Sequence, residues 1–214
     1  MRRTTVPALL LSAAIAAGGP SPLRAEGFAL DLNGGYYDMT NASSSASAVF
    51  GGSGGVTFGG GVRYDLRNGF YVGAGARYFE KSGERVFVAD RGSPVFRLGH
   101  PLSVRIAPVQ ATFGYRFRRT RTLVPYAGAG FGITSFREES EVGGVTETSS
   151  ETKASGHVVA GIEYARGRLR FAAEAQYATV PDAIGVSGVS KVYGESDIGG
   201  VTLAGKLVFS LARD

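Results

Sequence analysis

Ser155 and His157 lie two positions apart and are the residue types that a catalytic nucleophile and its base require. A Ser–His pair also needs an orienting acid and an oxyanion site, so these two residues alone do not indicate an enzyme. The other histidine, His100, precedes Pro101 in a polar segment and is interpreted as a loop residue. We therefore predict no catalytic residue.

Metal and cofactor chemistry has equally little support. Two isolated histidines and no cysteine do not make a typical zinc site. Glu138, Glu139 and Glu141 could hold a divalent cation loosely, but a charged cluster in a loop is usually only hydrated. The glycines of VPYAGAGFG (124–132) are spaced G-x-G-x-G and no helix follows, which does not match a phosphate-binding loop. We predict no metal and no cofactor.

Charged residues in the middle of apolar segments form a third group. They alternate with apolar residues, so they lie on the opposite face of each segment. Such a face could line a polar pore or gate, or it could form a structural network, because buried charges need partners. We favour the structural network, whose pairings cannot be read from the sequence. Its predicted members, the lumen charge network, are Asp31, Arg63, Asp65, Arg77, Arg105, Arg116, Glu163, Arg170, Glu174 and Lys206.

β-Strands must position these charges, because apolar and polar residues alternate along eight segments of roughly 10–14 residues. In FYVGAGARYFE, for example, Phe70, Val72 and Tyr78 share one face and Arg77 lies on the other. The segment SVRIAPVQATFGYRF changes parity at Ala107-Pro108. Since Pro cannot donate to a strand ladder, we predict a β-bulge at that point.

The connections between these strands alternate strictly between short and long. Short turns are predicted at 67–69, 118–122 and 166–168, and long loops at about 38–55, 80–102, 137–155 and 179–198. Outer-membrane barrels have this asymmetry, with short periplasmic turns and long extracellular loops. A soluble up-and-down barrel such as a lipocalin would also alternate, but it would bury its apolar face inside. Aromatic residues near the strand ends of the apolar face suit interfacial girdles: Tyr36, Tyr64, Phe70, Tyr78, Tyr115, Phe117, Tyr164 and Tyr177.

The predicted fold class is therefore all-β, an eight-stranded antiparallel up-and-down transmembrane β-barrel with both ends in the periplasm. An eight-stranded barrel has an interior only wide enough for side chains to fill. By parity, Gly128, Gly130 and Gly132 point into this lumen, where they would make room for long side chains from other strands.

Residues 1–25 are predicted to be a cleaved signal peptide, and residues 26–214 the barrel domain. Arg2 and Arg3 precede an apolar run from Val6 to Ala17 that is too short to span a bilayer. Without the three arginines of this segment the chain has 20 basic and 18 acidic residues, a formal net charge of +2. This near-balance gives no support for nucleic-acid binding.

The segment RIAPVQATFGYRFRRTRTLVPYAGAGFGI (105–133) resembles the small eight-stranded outer-membrane barrels, the family related to the transmembrane domain of OmpA and to OmpX. GHVVAGIEY and FAAEAQY, which follow it, resemble the later strands. The likeness covers the mature chain in layout and about residues 100–178 in motif. Members often end on an aromatic residue that the assembly machinery reads, whereas Phe209 lies five residues from the end here. We also expect no peptidoglycan-binding domain after the eighth strand.

The resemblance implies an integral outer-membrane protein of a Gram-negative bacterium, and we expect a structural or surface-interaction role carried by the long loops. The expected partners are outer-membrane lipid and lipopolysaccharide, the barrel-assembly machinery, and a host or phage surface ligand. Arg85, Arg91 and Arg97 are basic loop residues that suit lipopolysaccharide phosphates. One alternative is a minor porin. A less favoured one is a lipid A-modifying enzyme: deacylases of similar size carry His-x-Ser-Asn, whereas this chain has Ser-x-His without the Asn.

Overall fold

The computed structural model describes residues 25–66, 68–117, 122–165 and 167–211. Of the predicted signal peptide, residues 1–24 lie outside the described residues, and Ala25 begins the first strand. No helix among the described residues is both long and apolar enough to cross a membrane.

Eight antiparallel strands form a closed barrel in which each strand pairs with its sequence neighbours and the last pairs with the first. The strands are β1 (Ala25–Asp38), β2 (Gly54–Leu66), β3 (Phe70–Phe87), β4 (Phe96–Arg116), β5 (Leu123–Val142), β6 (Val145–Tyr164), β7 (Leu169–Thr179) and β8 (Gly200–Ser210). The predicted fold class and strand number are confirmed. Because the barrel is closed, each strand has a neighbour on both sides along the part of its length that lies within the ring.

The apolar side chains of the alternating segments point outward. Leu32, Phe58 and Phe131 are among the large hydrophobic residues that remain exposed, whereas Thr57, Glu174 and Thr202 are buried inside. Aromatic residues group near both ends of the outer face: Phe70 and Tyr115 are in contact at one end, and Phe58 and Tyr78 at the other. This inside-out arrangement fits a lipid environment and does not fit a soluble barrel with an apolar interior.

The β-bulge predicted at Ala107-Pro108 is wrong. β4 and β5 keep one register through this point, with Ala107 opposite Ser135, Pro108 opposite Thr134 and Val109 opposite Ile133. The irregularity in β3–β4 pairing lies further along, between Glu84 and Val86 of β3. The apolar residues of β4 switch from odd to even positions because their apolar contacts lie outside the barrel on one side of Pro108 and inside it on the other. Val109 faces outward, whereas Val104 and Ile106 face inward to an apolar cluster.

Two of the four predicted long loops are mostly strand. β3 ends only at Phe87, and β4 begins already at Phe96. β5 and β6 are joined through Gly143 and Gly144 alone. Strand lengths reach 21 residues in β4, so the expected upper length of roughly 14 residues was too short for β3 to β6. The polar Ser, Thr and Glu residues of 137–155 suggested a loop, but their backbone groups are satisfied by pairing within a hairpin.

The other two long connections contain helices that the sequence did not reveal. A 3-10 helix (Thr40–Ala42) and helix α1 (Ser43–Phe50) lie between β1 and β2, and helix α2 (Gly188–Tyr193) lies between β7 and β8. Together with the upper parts of β3 and β4 they enclose an apolar cluster, the cap, which closes the long-loop end of the barrel. The buried residues of the cap are Tyr37, Met39, Ala42, Ala46, Phe79, Val104, Ile106, Val180, Ala183 and Ile198.

Candidate functional site

Glu163 is the centre of a charge cluster at the short-turn end of the lumen. It is fully buried, and it accepts hydrogen bonds from Arg63 Nη2 (2.9 Å), Arg116 Nη2 (2.5 Å) and Arg170 Nη1 (3.2 Å). Asp65 accepts from Arg63 Nε at 2.9 Å and from Arg116 Nη1 at 2.6 Å. Two carboxylates therefore hold three guanidinium groups, with Arg116 bridging both carboxylates.

Glu174 is the centre of a second cluster, halfway along the lumen. Arg77 Nη2 donates to its Oε1 at 2.7 Å, and Lys206 Nζ lies 2.6 Å from its Oε2. The hydroxyl of Tyr126 donates to the same Oε2 at 2.9 Å. Asp31 is more loosely held, 3.9 Å from Lys206 Nζ. The two anions and two cations balance one another at this level.

Neutral side chains that the sequence reasoning missed extend this cluster. Arg77 Nη1 donates to Gln176 Oε1 at 2.5 Å, and Gln176 Nε2 donates to Gln110 Oε1 at 3.0 Å. Arg77 Nε also donates to Asn33 Oδ1 at 3.3 Å. On its strand, each of these residues is separated by an even number of positions from a lumen charge, so it lies on the same face. This spacing could have identified them from the sequence.

The glycines of β5 give lumen side chains their room, as the sequence analysis anticipated. A Cβ on Gly128 would lie 2.7 Å from the Tyr71 hydroxyl, and one on Gly130 would lie 2.6 Å from His157 Cε1. The Arg63 guanidinium also lies over the Tyr71 ring, with Cζ 5.9 Å from the ring centroid, a distance that permits a cation–π contact. One cavity in the lumen, beside the Glu174 cluster, has a volume of about 80 Å³, and a second, nearer the cap, has a volume of about 30 Å³, so each has room for only a few water molecules.

Arg105 was predicted to belong to the lumen charge network, but it does not lie in the lumen. It faces outward and is partly exposed, with Nε 3.2 Å from Glu80 Oε1 and Nη1 3.4 Å from Glu139 Oε2. Its inward placement assumed that the parity of β4 slips at Pro108, and the register shows no slip there. The structure places the other nine predicted residues on the inner face, in the two clusters described above.

Ser155 and His157 do not form a catalytic pair in this geometry. His157 Nε2 lies 2.9 Å from Thr112 Oγ1. Within the described part of the chain, neither the buried His157 Nδ1 nor the buried Ser155 Oγ has a hydrogen-bond partner. Among the described residues, no group of three or more His, Cys, Asp and Glu side chains is arranged to hold a metal ion.

A profile of the family described as "Outer membrane protein beta-barrel domain" matches residues 5–183 of this chain. The chain belongs to this family. The fold is similar to that of Neisserial surface protein A, with 14% identity, 87% of this chain and 99% of that chain covered, and a TM-score of 0.54. It is also similar to a major outer membrane protein from Thermus thermophilus, with 10% identity, 86% and 98% covered, and a TM-score of 0.58. Compared with curated proteins, the sequence has no significant match.

Membership of the outer membrane protein beta-barrel domain family places the protein in the bacterial outer membrane. At such low identity, the two solved structures bear on the fold alone. The outer face of the barrel is then the lipid-facing surface. In barrels of this kind the short turns generally lie on the periplasmic side and the long connections outside the cell, and we expect the same orientation here. The predicted turn at 118–122 lies, except for residue 122, outside the described residues.

The extracellular connections of this outer-membrane barrel are tied to one another. Glu195, which follows α2, accepts hydrogen bonds from the Ser44 and Ser45 amides at 3.0 and 2.8 Å, two of the amide donors in the first turn of α1 that have no partner within the helix. Burial alone would raise the pKa of Glu195, but the hydrogen bonds from Ser45 and Ser44 lower it. The residue before α1 is Ala42, which has no side chain that could cap the helix. Glu195 therefore supplies both the cap and a favourable negative charge from a distant segment.

The extracellular ends of β3 to β6 form a four-stranded extension that rises above its neighbours. Pairing of β2 with β3 ends at Thr57 opposite Phe79, and pairing of β6 with β7 ends at Gly156 opposite Thr179. Pairing of β5 with β6 continues to Val142 opposite Val145. The upper part of β6, residues 145–155, therefore has one edge with no strand partner among the described residues.

Proposed function

We propose that this protein is a non-enzymatic surface protein, in which the barrel is a sealed membrane anchor and the four-stranded extension binds macromolecules outside the cell. The observation that carries this proposal is the unpaired edge of β6. A free strand edge presents a row of backbone donors and acceptors, to which an extended segment of a partner can add as a further strand.

The surface of the β6 extension supports this role. Residues 145–152 are exposed, and the segment is rich in Thr and Ser, residues that keep an open edge hydrated. Glu147 and Glu151 place charged side chains along it, and each forms an exposed ion pair, with Arg85 and with Lys153. Charged side chains on an edge strand keep it hydrated and disfavour edge-to-edge association between copies of the protein.

Outward arginines near the upper end of the lipid-facing surface support a contact with lipopolysaccharide. Arg105 and Arg137 lie on neighbouring strands and share Glu139, with N–O distances of 3.4 and 2.6 Å. Arg105 also pairs with Glu80, so the two guanidinium groups and the two carboxylates balance. Both arginines are partly exposed, and a lipid phosphate would bind by displacing one of these carboxylates. The loop arginines named from the sequence are already engaged: Arg85 with Glu147, Arg97 with Glu84, and Arg91 with the Val192 carbonyl. Recognition by the barrel-assembly machinery is proposed on the fold alone.

The experiment that tests the surface role shortens the β5–β6 hairpin without changing its register. Because Arg137 is opposite Ser150, residues 138–149 can be replaced by two glycines. Wild-type and shortened barrels in lipid nanodiscs are panned against a phage-displayed library of extended peptides. We expect enrichment on the wild-type barrel alone. A matched variant with Glu147→Gln and Glu151→Gln keeps the edge and separates edge pairing from charge attraction.

Equal enrichment on both barrels would contradict the proposed role of β6. Planar-bilayer recordings address the porin alternative, because the filled lumen supports a silent barrel. Conductance steps in the wild-type protein that change with Arg77→Ala would instead favour a minor porin. Lipid A that differs by mass spectrometry between cells with and without the protein would favour the lipid-modifying enzyme.

A further inference from the structure

An apolar cavity of about 250 Å³ lies at the extracellular end of the barrel, beside the cap. It is enclosed by α1, the upper parts of β3, β4 and β5, and the segment that contains α2. Its volume approaches the lower end of the range for small-molecule sites, roughly 300 Å³. The walls are mainly hydrocarbon and include Met39, Ala46, Phe50, Val104, Phe136 and Ile198.

Glu138 places a carboxylate on the wall of this cavity. Among the described residues it has no hydrogen-bond or ion-pair partner. Burial raises the pKa of Glu138, and the nearby Arg85 opposes that effect. Arg85 also lines the cavity, but its Nη1 lies 3.3 Å from Glu147 Oε2, so its charge is already matched. Among the described residues, Glu138 is therefore the charged group on the cavity wall that no hydrogen bond or ion pair satisfies.

Two of the three serine hydroxyl groups on the cavity wall are occupied by contacts within the protein. Ser45 Oγ donates to Glu195 Oε2 at 2.5 Å. Ser190 Oγ donates to the Ser187 carbonyl at 3.2 Å and accepts from the Gly185 amide at 3.0 Å. Glu138 is thus a free charged group in a largely apolar site. A small-molecule site typically has this composition, with apolar walls and a few polar groups that orient the ligand.

We propose that this cavity binds a small apolar molecule that carries one primary ammonium group. The hydrocarbon body lies against Phe50, Val104 and Phe136, and the ammonium group donates to the Glu138 carboxylate. An alcohol of the same shape leaves the carboxylate charge unpaired, and a carboxylic acid brings a like charge next to it. Charge complementarity therefore selects the amine. This site is separate from the β6 edge, and the inference does not depend on the proposed surface role.

Phenethylamine, 2-phenylethanol and 3-phenylpropionate are matched probes, because they share a phenyl ring and differ in the polar group. Binding to the full barrel in lipid nanodiscs is measured by saturation-transfer NMR and calorimetry, with empty nanodiscs subtracted. A charge-assisted hydrogen bond in such a site corresponds to about a 10- to 100-fold difference in affinity. We expect the amine to bind more tightly than the alcohol by that factor, and the acid to bind most weakly.

Glu138→Gln should remove the preference for the amine, while Glu139→Gln, the same change on the outward face, should retain it. Ala46→Phe should fill the cavity and abolish binding of both the amine and the alcohol. Heat modifiability on a denaturing gel shows whether each variant still forms the barrel. Absence of amine binding to the wild-type protein would overturn the proposal. So would an amine preference that survives Glu138→Gln, or tighter binding of the acid.

Discussion

Replacing Glu163 with Gln tests whether the lumen is held together by the charge network. Glu163 is fully buried and accepts hydrogen bonds from three arginines. The amide keeps the shape of the side chain and one acceptor oxygen, but it removes the negative charge. Three guanidinium groups are then left with Asp65 as their remaining carboxylate in this cluster.

The expected loss of stability follows from these contacts. A hydrogen bond to a charged group contributes roughly 1.5–3 kcal/mol, so three of them set an upper bound of roughly 4.5–9 kcal/mol. The loss is smaller than that bound, because Asp65 still compensates part of the charge and bonds within one network are not additive. Removing one partner of a buried ion pair typically costs about 3–5 kcal/mol. We expect Glu163→Gln to lower the free energy of unfolding by about 3–5 kcal/mol.

The assay is urea-induced unfolding of the barrel in lipid vesicles. It is followed by gel mobility and circular dichroism, since the chain contains no Trp. Glu151→Gln is the control: Glu151 forms a half-exposed pair with Lys153, which is expected to contribute at most about 1 kcal/mol. Adding Arg116→Gln to Glu163→Gln relieves the excess positive charge. The loss in free energy of unfolding of the double variant should therefore be at least about 1 kcal/mol smaller than the sum of the losses of the two single variants. A loss for Glu163→Gln no larger than the control would refute the reasoning.

Three further substitutions test other parts of the structure. Phe131→Arg places a charge at the middle of the lipid-facing surface, where 75% of the side chain is exposed, and should lower the free energy of unfolding in vesicles by about 2–4 kcal/mol. Gly130→Ala should reduce the yield of heat-resistant barrel because the new Cβ would meet the backbone carbonyl of Ala111 and the His157 ring, whereas Gly52→Ala, with open space around it, should not. Glu195→Gln should increase amide exchange at the start of α1. Because the pKa of Glu195 is lowered in the folded protein, its contribution is complete above about pH 4.3 and is lost as the pH falls further, so wild-type and variant should exchange alike in acid.

The alternation of residue types was sufficient to predict the fold, because lipid outside and charges inside impose opposite polarity on the two faces of every strand. It failed where a strand leaves the membrane. Above Pro108, the apolar cap replaces lipid as the apolar partner, so Val104 and Ile106 turn inward while Arg105 turns outward. The alternation of apolar and polar residues does not reveal how far a residue lies from the bilayer. The switch of the apolar positions from one face to the other therefore gave the same sequence pattern as a β-bulge.

The lumen pairings could not be predicted either, since they depend on the stagger between strands distant in sequence. Arg63 and Glu163 are a hundred residues apart, and Arg77 meets Glu174 across the lumen. The short helices were missed because Ser and Ala dominate α1, with little hydrophobic periodicity. Glu195 as a cap for α1 became visible only when the first and last extracellular connections were seen together.

Chemical labelling of single cysteines on living cells tests the central claim most directly. The chain contains no cysteine, so each variant carries one thiol. Thr148→Cys lies in the exposed extension of β6, and Asn68→Cys lies in the exposed turn between β2 and β3. An impermeant maleimide should label Thr148→Cys on intact cells, and Asn68→Cys only after the outer membrane is permeabilised. Labelling of Asn68→Cys but not Thr148→Cys on intact cells would contradict the orientation of the barrel and the surface role of its extension.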